Sequence, residues 1–135
     1  MFNYVILPIL ISALAIATLL RNRKKIPRSS FLFSFWVSGL VFFSTYILLI
    51  LIARGLDAYY WSEYMSFDMN NDGYIEESER TAGYSTAHEN AVNDTARNMV
   101  FMTGAIISLL VSTTVLFVGV IGNFLIQRRN TLKKN

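Results

Sequence analysis

The chain has 135 residues, 53% of them apolar and 16% charged, with a formal charge of +3. It contains no cysteine, so no disulfide framework orders it in any compartment. The basic excess does not indicate nucleic-acid binding, because acids and bases lie in separate blocks beside long uncharged runs.

The first run, residues 1–20, is just long enough to cross a hydrocarbon core of about 30 Å. It begins MFNYVILP, with no basic residue, and its positive cluster comes afterwards. A cleaved secretory signal has the opposite order, so the pattern predicts a retained transmembrane helix with its N-terminus outside. Residues 21–30 carry Arg21, Arg23, Lys24, Lys25 and Arg28 and read as a basic cytoplasmic loop. Residues 31–53 contain no Asp, Glu, Lys, Arg or His and predict a second transmembrane helix.

All nine acidic residues fall between Asp57 and Asp94, in a segment of residues 54–97. Against them stand only Arg54, Arg80 and Arg97, a formal charge of −6. Because Lys and Arg collect on cytoplasmic flanks, this segment is placed outside the membrane. Tyr59, Tyr60, Trp61 and Tyr64 mark its start as an interfacial aromatic belt, with Trp36 near the opposite membrane face. Residues 98–127 form a third uncharged run and predict the third transmembrane helix. Residues 128–135, with Arg128, Arg129, Lys133 and Lys134, form a basic cytoplasmic tail. The fold class is therefore an all-α membrane protein of the plasma or bacterial inner membrane. It has three transmembrane helices and an extracytoplasmic helix-loop-helix between the second and third.

Helices associate in lipid through small side chains that let backbones approach. Gly104, Ser108 and Ser112 lie four apart on the third helix, with Gly119 and Gly122 beyond them. Ser34 and Ser38 offer a matching face on the second helix, and Ala13 and Ala17 on the first. These faces suit packing within one chain, a homo-oligomer, or a protein partner. No ionisable group lies inside a span, which argues against a pump or coupled transporter.

The acidic segment contains Asp68-Met-Asn-Asn-Asp-Gly-Tyr-Ile-Glu-Glu-Ser-Glu79, which fits D-x-[DN]-x-[DN]-G-x₅-E at every fixed position. Calcium takes six to eight oxygens, and this spacing places ligands at positions 1, 3, 5, 7, 9 and 12. They are Asp68, Asn70, Asp72, the Tyr74 carbonyl, Glu76 and Glu79. Gly73 stands where the loop turns sharply. Over residues 57–83 the chain resembles the EF-hand family. Ile75 takes the apolar position 8, and Phe67, Tyr64 and Tyr60 suggest an entering helix. The resemblance implies Ca²⁺ as the bound ion. It departs from the family at Arg80, where an apolar residue is usual, and at Gly83, which weakens an exiting helix. No second loop is present, and the resemblance does not extend to the membrane helices.

His88, the only histidine, reads as a solvated surface residue beside Glu89, and Asn93-Asp94-Thr95 fits a glycosylation acceptor. No nucleophile–base pair, phosphate loop or HExxH occurs, so no enzymatic activity is expected. The expected function is calcium binding by a membrane protein, as a structural staple or a calcium-responsive module. A non-catalytic accessory subunit of a larger membrane complex is the alternative. The three-span topology with a basic tail also resembles one class of phage holins, which the long acidic loop does not fit.

Overall fold

The computed structural model describes residues 3–28, 30–92 and 95–132. In chain order the helices are α1 (Asn3–Arg21), α2 (Phe31–Met65), α3 (Tyr84–Val92), α4 (Thr95–Asn98) and α5 (Val100–Leu132). Short 3-10 turns occur at Arg23–Lys25 and Glu77–Glu79, and the described residues contain no strand.

Two helices, α2 and α5, are long and apolar enough to cross a membrane. They have 35 and 33 residues, or roughly 50 Å each at about 1.5 Å per residue. That exceeds a core of about 30 Å, so each would project beyond it. Ser30 caps the start of α2, its hydroxyl oxygen accepting from the Leu32 N–H at 3.2 Å. The uncharged run expected to span ends at residue 53, and α2 continues unbroken from it through the expected entering helix to Met65. Polarity ends the apolar run without ending the helix. Arg54 and Asp57 pair at 3.0 Å one turn apart, and Gly55 is absorbed within the helix. The shorter α1, of 19 residues, contains Pro8.

The interior is made mainly of small residues. Ser12, Ser34, Ser38, Ser108 and Ser112 are buried, with Val5, Ile50, Ala53 and Ala87. Large apolar side chains such as Leu10, Leu14, Leu48, Leu110, Phe117 and Phe124 point outward. This reverses the distribution of a water-soluble core, a distribution that a lipid surrounding would favour.

The seam between α2 and α5 uses the small residues expected of it. Gly104 lies under Tyr46 and Leu49, and the Ser38 hydroxyl donates to the Ser112 carbonyl at 2.7 Å. A Cβ at Gly119 would stand 2.9 Å from Ser34 Oγ, so the glycine is required for this approach. Asn123 Nδ2 donates to the same Ser34 Oγ at 2.9 Å.

Against α2, α1 uses a different face from the one expected. Ser12 is buried and Leu19 reaches Gly39, whereas Ala13 and Ala17 are exposed. With 3.6 residues per turn, the choice of Ser12 and Leu19 for the packed stripe turns Ala13 and Ala17 off it. At the basic end, Trp36 Nε1 donates to the Leu19 carbonyl at 2.7 Å, satisfying one of the last carbonyls of α1. Arg23 lies over the Phe33 and Trp36 rings and donates to the Ile26 carbonyl at 3.0 Å.

Candidate metal site

The loop leaves α2 through Ser66 and Phe67 and coils back to the 3-10 turn at Glu77–Glu79. Asn71 (φ 56°) and Gly73 (φ 88°) both adopt the left-handed region. Asparagine and glycine tolerate that region best, so the Asn-Asp-Gly stretch suits this coil.

Asp68 and Glu79, the first and last expected ligands, are each 7% exposed. Both act as acceptors for loop N–H groups. Asp68 Oδ1 accepts from the Asp72 N–H at 3.3 Å, and Oδ2 from the Gly73 N–H at 2.8 Å. Glu79 Oε1 accepts from the Met69 and Asn70 N–H groups at 3.0 and 3.2 Å, and Oε2 from the Glu76 N–H at 3.1 Å. The Glu76 carboxylate accepts in return from the Glu79 N–H, which completes a capping box.

Asn70, Asp72 and Glu76 are exposed, and the Tyr74 ring is 77% exposed. Asp72 and Asn70 form local turns. Asp72 Oδ1 accepts from the Tyr74 N–H at 2.9 Å, and Asn70 Oδ1 from the Asp72 N–H at 2.9 Å. Asn70 Nδ2 donates to Asp72 Oδ2 at 3.1 Å. The two ends of the expected ligand set thus lie inward and its middle outward. Among the described residues, no three His, Cys, Asp or Glu side chains converge closely enough to hold a metal ion.

No Lys, Arg or His comes within 4.0 Å of the carboxylates of Asp68, Asp72, Glu76, Glu77 or Glu79 among the described residues. Arg80, the nearest basic residue in sequence, lies over the Tyr84 ring at 5.4 Å. Buried carboxylates are ordinarily paired or bound to a cation. In Asp68 and Glu79 the loop N–H groups carry that role alone.

Behind the loop, Tyr64 and Phe67 meet Tyr84 and His88 of α3, with ring centroids 5.5–5.9 Å apart. His88 is therefore half-buried in an aromatic cluster, not a freely solvated residue. The sequence signal was present in the four-residue spacing of Tyr84 and His88, which puts both rings on one helix face. The hydrogen bond with Tyr84, and then burial, push the Tyr64 hydroxyl above its ordinary pKa. The aromatic belt is correspondingly divided. Tyr59 and Trp61 face outward, Tyr64 enters this cluster, and Tyr60 lies 4.7 Å from the Arg97 guanidinium.

Arg97, on α4, is buried between α2 and α3. It pairs with Asp57 Oδ1 at 3.3 Å and donates through Nη2 to the Asn90 carbonyl. Asn93 and Asp94 of the glycosylation pattern lie outside the described residues.

The molecule is thus an all-helical chain with two apolar helices of membrane-spanning length and an acidic loop between them. Comparison with protein-family models, curated proteins and solved structures gives no match.

Proposed function

We propose that this is a non-enzymatic integral membrane protein that binds Ca²⁺ through its acidic outer loop. In this reading α1 is a third span, at about 28 Å for its 19 residues. The N-terminus lies outside and the C-terminus in the cytoplasm of a plasma or bacterial inner membrane. The observation that carries the calcium reading is the pair of buried carboxylates, Asp68 and Glu79, at the two ends of an EF-hand-like loop, with no basic partner among the described residues.

The donor chemistry fits calcium in part. A carboxylate offers about four lone-pair sites, and the two N–H bonds to Asp68 leave sites free on both of its oxygens. Glu79 Oε1 already accepts two N–H groups, so an ion drawing on both Glu79 oxygens competes with Met69 and Asn70. Asp72, Asn70 and Glu76 must turn inward, and the Tyr74 carbonyl completes the set. Ligand binding therefore exchanges loop hydrogen bonds for metal–oxygen bonds, which favours a calcium-responsive module over a passive staple.

Calcium titration of the detergent-solubilised full chain by calorimetry tests this. The expected result is one site with a Kd of roughly 10⁻⁴–10⁻³ M, the range of extracellular-type modules. No heat of binding at about tenfold higher calcium would leave the loop as a hydrogen-bonded turn only. Orientation is tested separately. Cysteines introduced at Ser85 and at Asn130 are expected to label from opposite sides of the membrane, and labelling from one side would overturn the three-span topology.

A second reading, the accessory subunit of a larger membrane complex, is favoured by one observation. Ala13 and Ala17 form a small-residue face on α1 that remains exposed. Co-purification of a stoichiometric protein in mild detergent supports it, and isolation of a monomer or homodimer counts against it.

A further inference from the structure

We propose that the groove between α2 and α5 at the basic end holds one anionic phospholipid, its phosphate on Arg28 and an acyl chain between the helices. The inference rests on the membrane reading but not on calcium binding. The groove has a volume of about 440 Å³, within the roughly 300–1,000 Å³ of small-molecule sites. Val37, Val115, Val118 and Ile126 give it apolar walls, and Gly122 borders its open space, where a Cβ would meet nothing within 4 Å. Its polar end is formed by Arg28 with Ser34 and Asn123, whose side chains are hydrogen-bonded to each other at 2.9 Å.

Charge identifies the occupant. No acidic side chain lies in 1–56 or 95–135. Arg23 is engaged with Phe33, Trp36 and the Ile26 carbonyl, whereas Arg28 is exposed and has no hydrogen-bond or ion-pair partner among the described residues. The groove also opens beside the capped start of α2, whose helix dipole favours negative charge. A basic pocket between membrane helices on the cytoplasmic side is the setting in which anionic headgroups bind. Arginine presents a planar fork that matches a phosphate, and the Asn123 amide adds a neutral donor and acceptor.

The test is native mass spectrometry of the full chain in detergent, with phosphatidylglycerol and phosphatidylcholine of identical acyl chains. The wild type is expected to retain one phosphatidylglycerol with about tenfold preference, because phosphatidylcholine brings the same phosphate to Arg28 together with a choline cation that offsets its charge. Arg28→Gln should abolish the preference, and Gly122→Leu should reduce retention of both lipids while leaving the helical circular dichroism unchanged. Equal retention of the two lipids by the wild type, or an unchanged preference in Arg28→Gln, overturns the proposal. So does a dimer that Gly122→Leu dissociates without altering lipid retention, because the groove would then belong to a second copy. A chain soluble without detergent defeats the membrane reading itself, and is distinguished from these outcomes at extraction.

Discussion

Glu79→Gln is expected to weaken calcium binding at least tenfold and to loosen the loop even in calcium-free buffer. The two effects have one origin. The Glu79 carboxylate accepts two N–H groups at Oε1 and a third at Oε2 while only 7% exposed. Glutamine keeps one acceptor oxygen and turns the other into an NH₂ donor. Whichever way the amide is oriented, a donor faces a donor. If the oxygen stays with Met69 and Asn70, the Glu76 N–H is orphaned; reversed, the other two are. An unsatisfied buried donor costs about 1–3 kcal/mol. The metal loses its closing bidentate ligand at the same time, which accounts for the tenfold or greater drop. Calorimetry reads the affinity, and amide exchange at Met69, Asn70 and Glu76 in calcium-free buffer reads the loop. Unchanged affinity with faster exchange would assign Glu79 to the turn alone, and unchanged exchange would remove the hydrogen-bonding account. Asp72→Asn is the control. Its exposed side chain makes only local contacts in this conformation, so it should lower affinity with little change in exchange.

The parts of the fold that were legible in the sequence are those fixed by one-dimensional pattern. Residues 31–53 and 98–127 lack Asp, Glu, Lys, Arg and His, and α2 and α5 follow. Gly104, Ser108 and Ser112 repeat at four, as do Ser34 and Ser38, and these residues form the α2–α5 seam. What failed depended on three dimensions. Neither the apolar run to residue 53 nor the entering-helix spacing of Tyr60, Tyr64 and Phe67 specifies that the two join in one helix to Met65. On α1 two faces carry small residues, and the sequence does not choose between Ala13 with Ala17 and the stripe through Ser12.

The candidate loop shows the same division. The spacing from Asp68 to Glu79 places the coil and its left-handed Gly73. It does not specify that the Glu79 oxygens face N–H groups, because those donors depend on how the backbone turns. Gly83 was expected to weaken an exiting helix. Glu77–Glu79 accordingly forms only a 3-10 turn, Gly83 takes φ 96°, and α3 starts afresh at Tyr84. The aromatic cluster of Tyr64, Phe67, Tyr84 and His88 then supplies the packing that a continuous exiting helix would have given.

Arg97 was the least legible residue, since Asp57 and Tyr60 lie far back along the chain, and its loss is expected to have the largest effect on stability. Arg97→Met keeps most of the side-chain volume and removes the charge. It deletes the 3.3 Å pair with Asp57, the donation to the Asn90 carbonyl and the position 4.7 Å from the Tyr60 ring. Breaking a buried ion pair from one side costs about 3–5 kcal/mol, mostly because the other charge is left unpaired. Asp57 keeps Arg54 at 3.0 Å and is more exposed than Arg97, so the lower end, about 3 kcal/mol, is expected. Arg97→Lys should fall between wild type and Met, because an ammonium retains the attraction to Asp57 but lacks the planar fork that also reaches Asn90 and Tyr60. Reversible denaturation in detergent measures all three proteins. A Lys variant as stable as wild type would mean that charge alone suffices there. A Met variant as stable as wild type would show that α3 and the start of α5 are held to α2 by the aromatic cluster and the serine seam without this arginine.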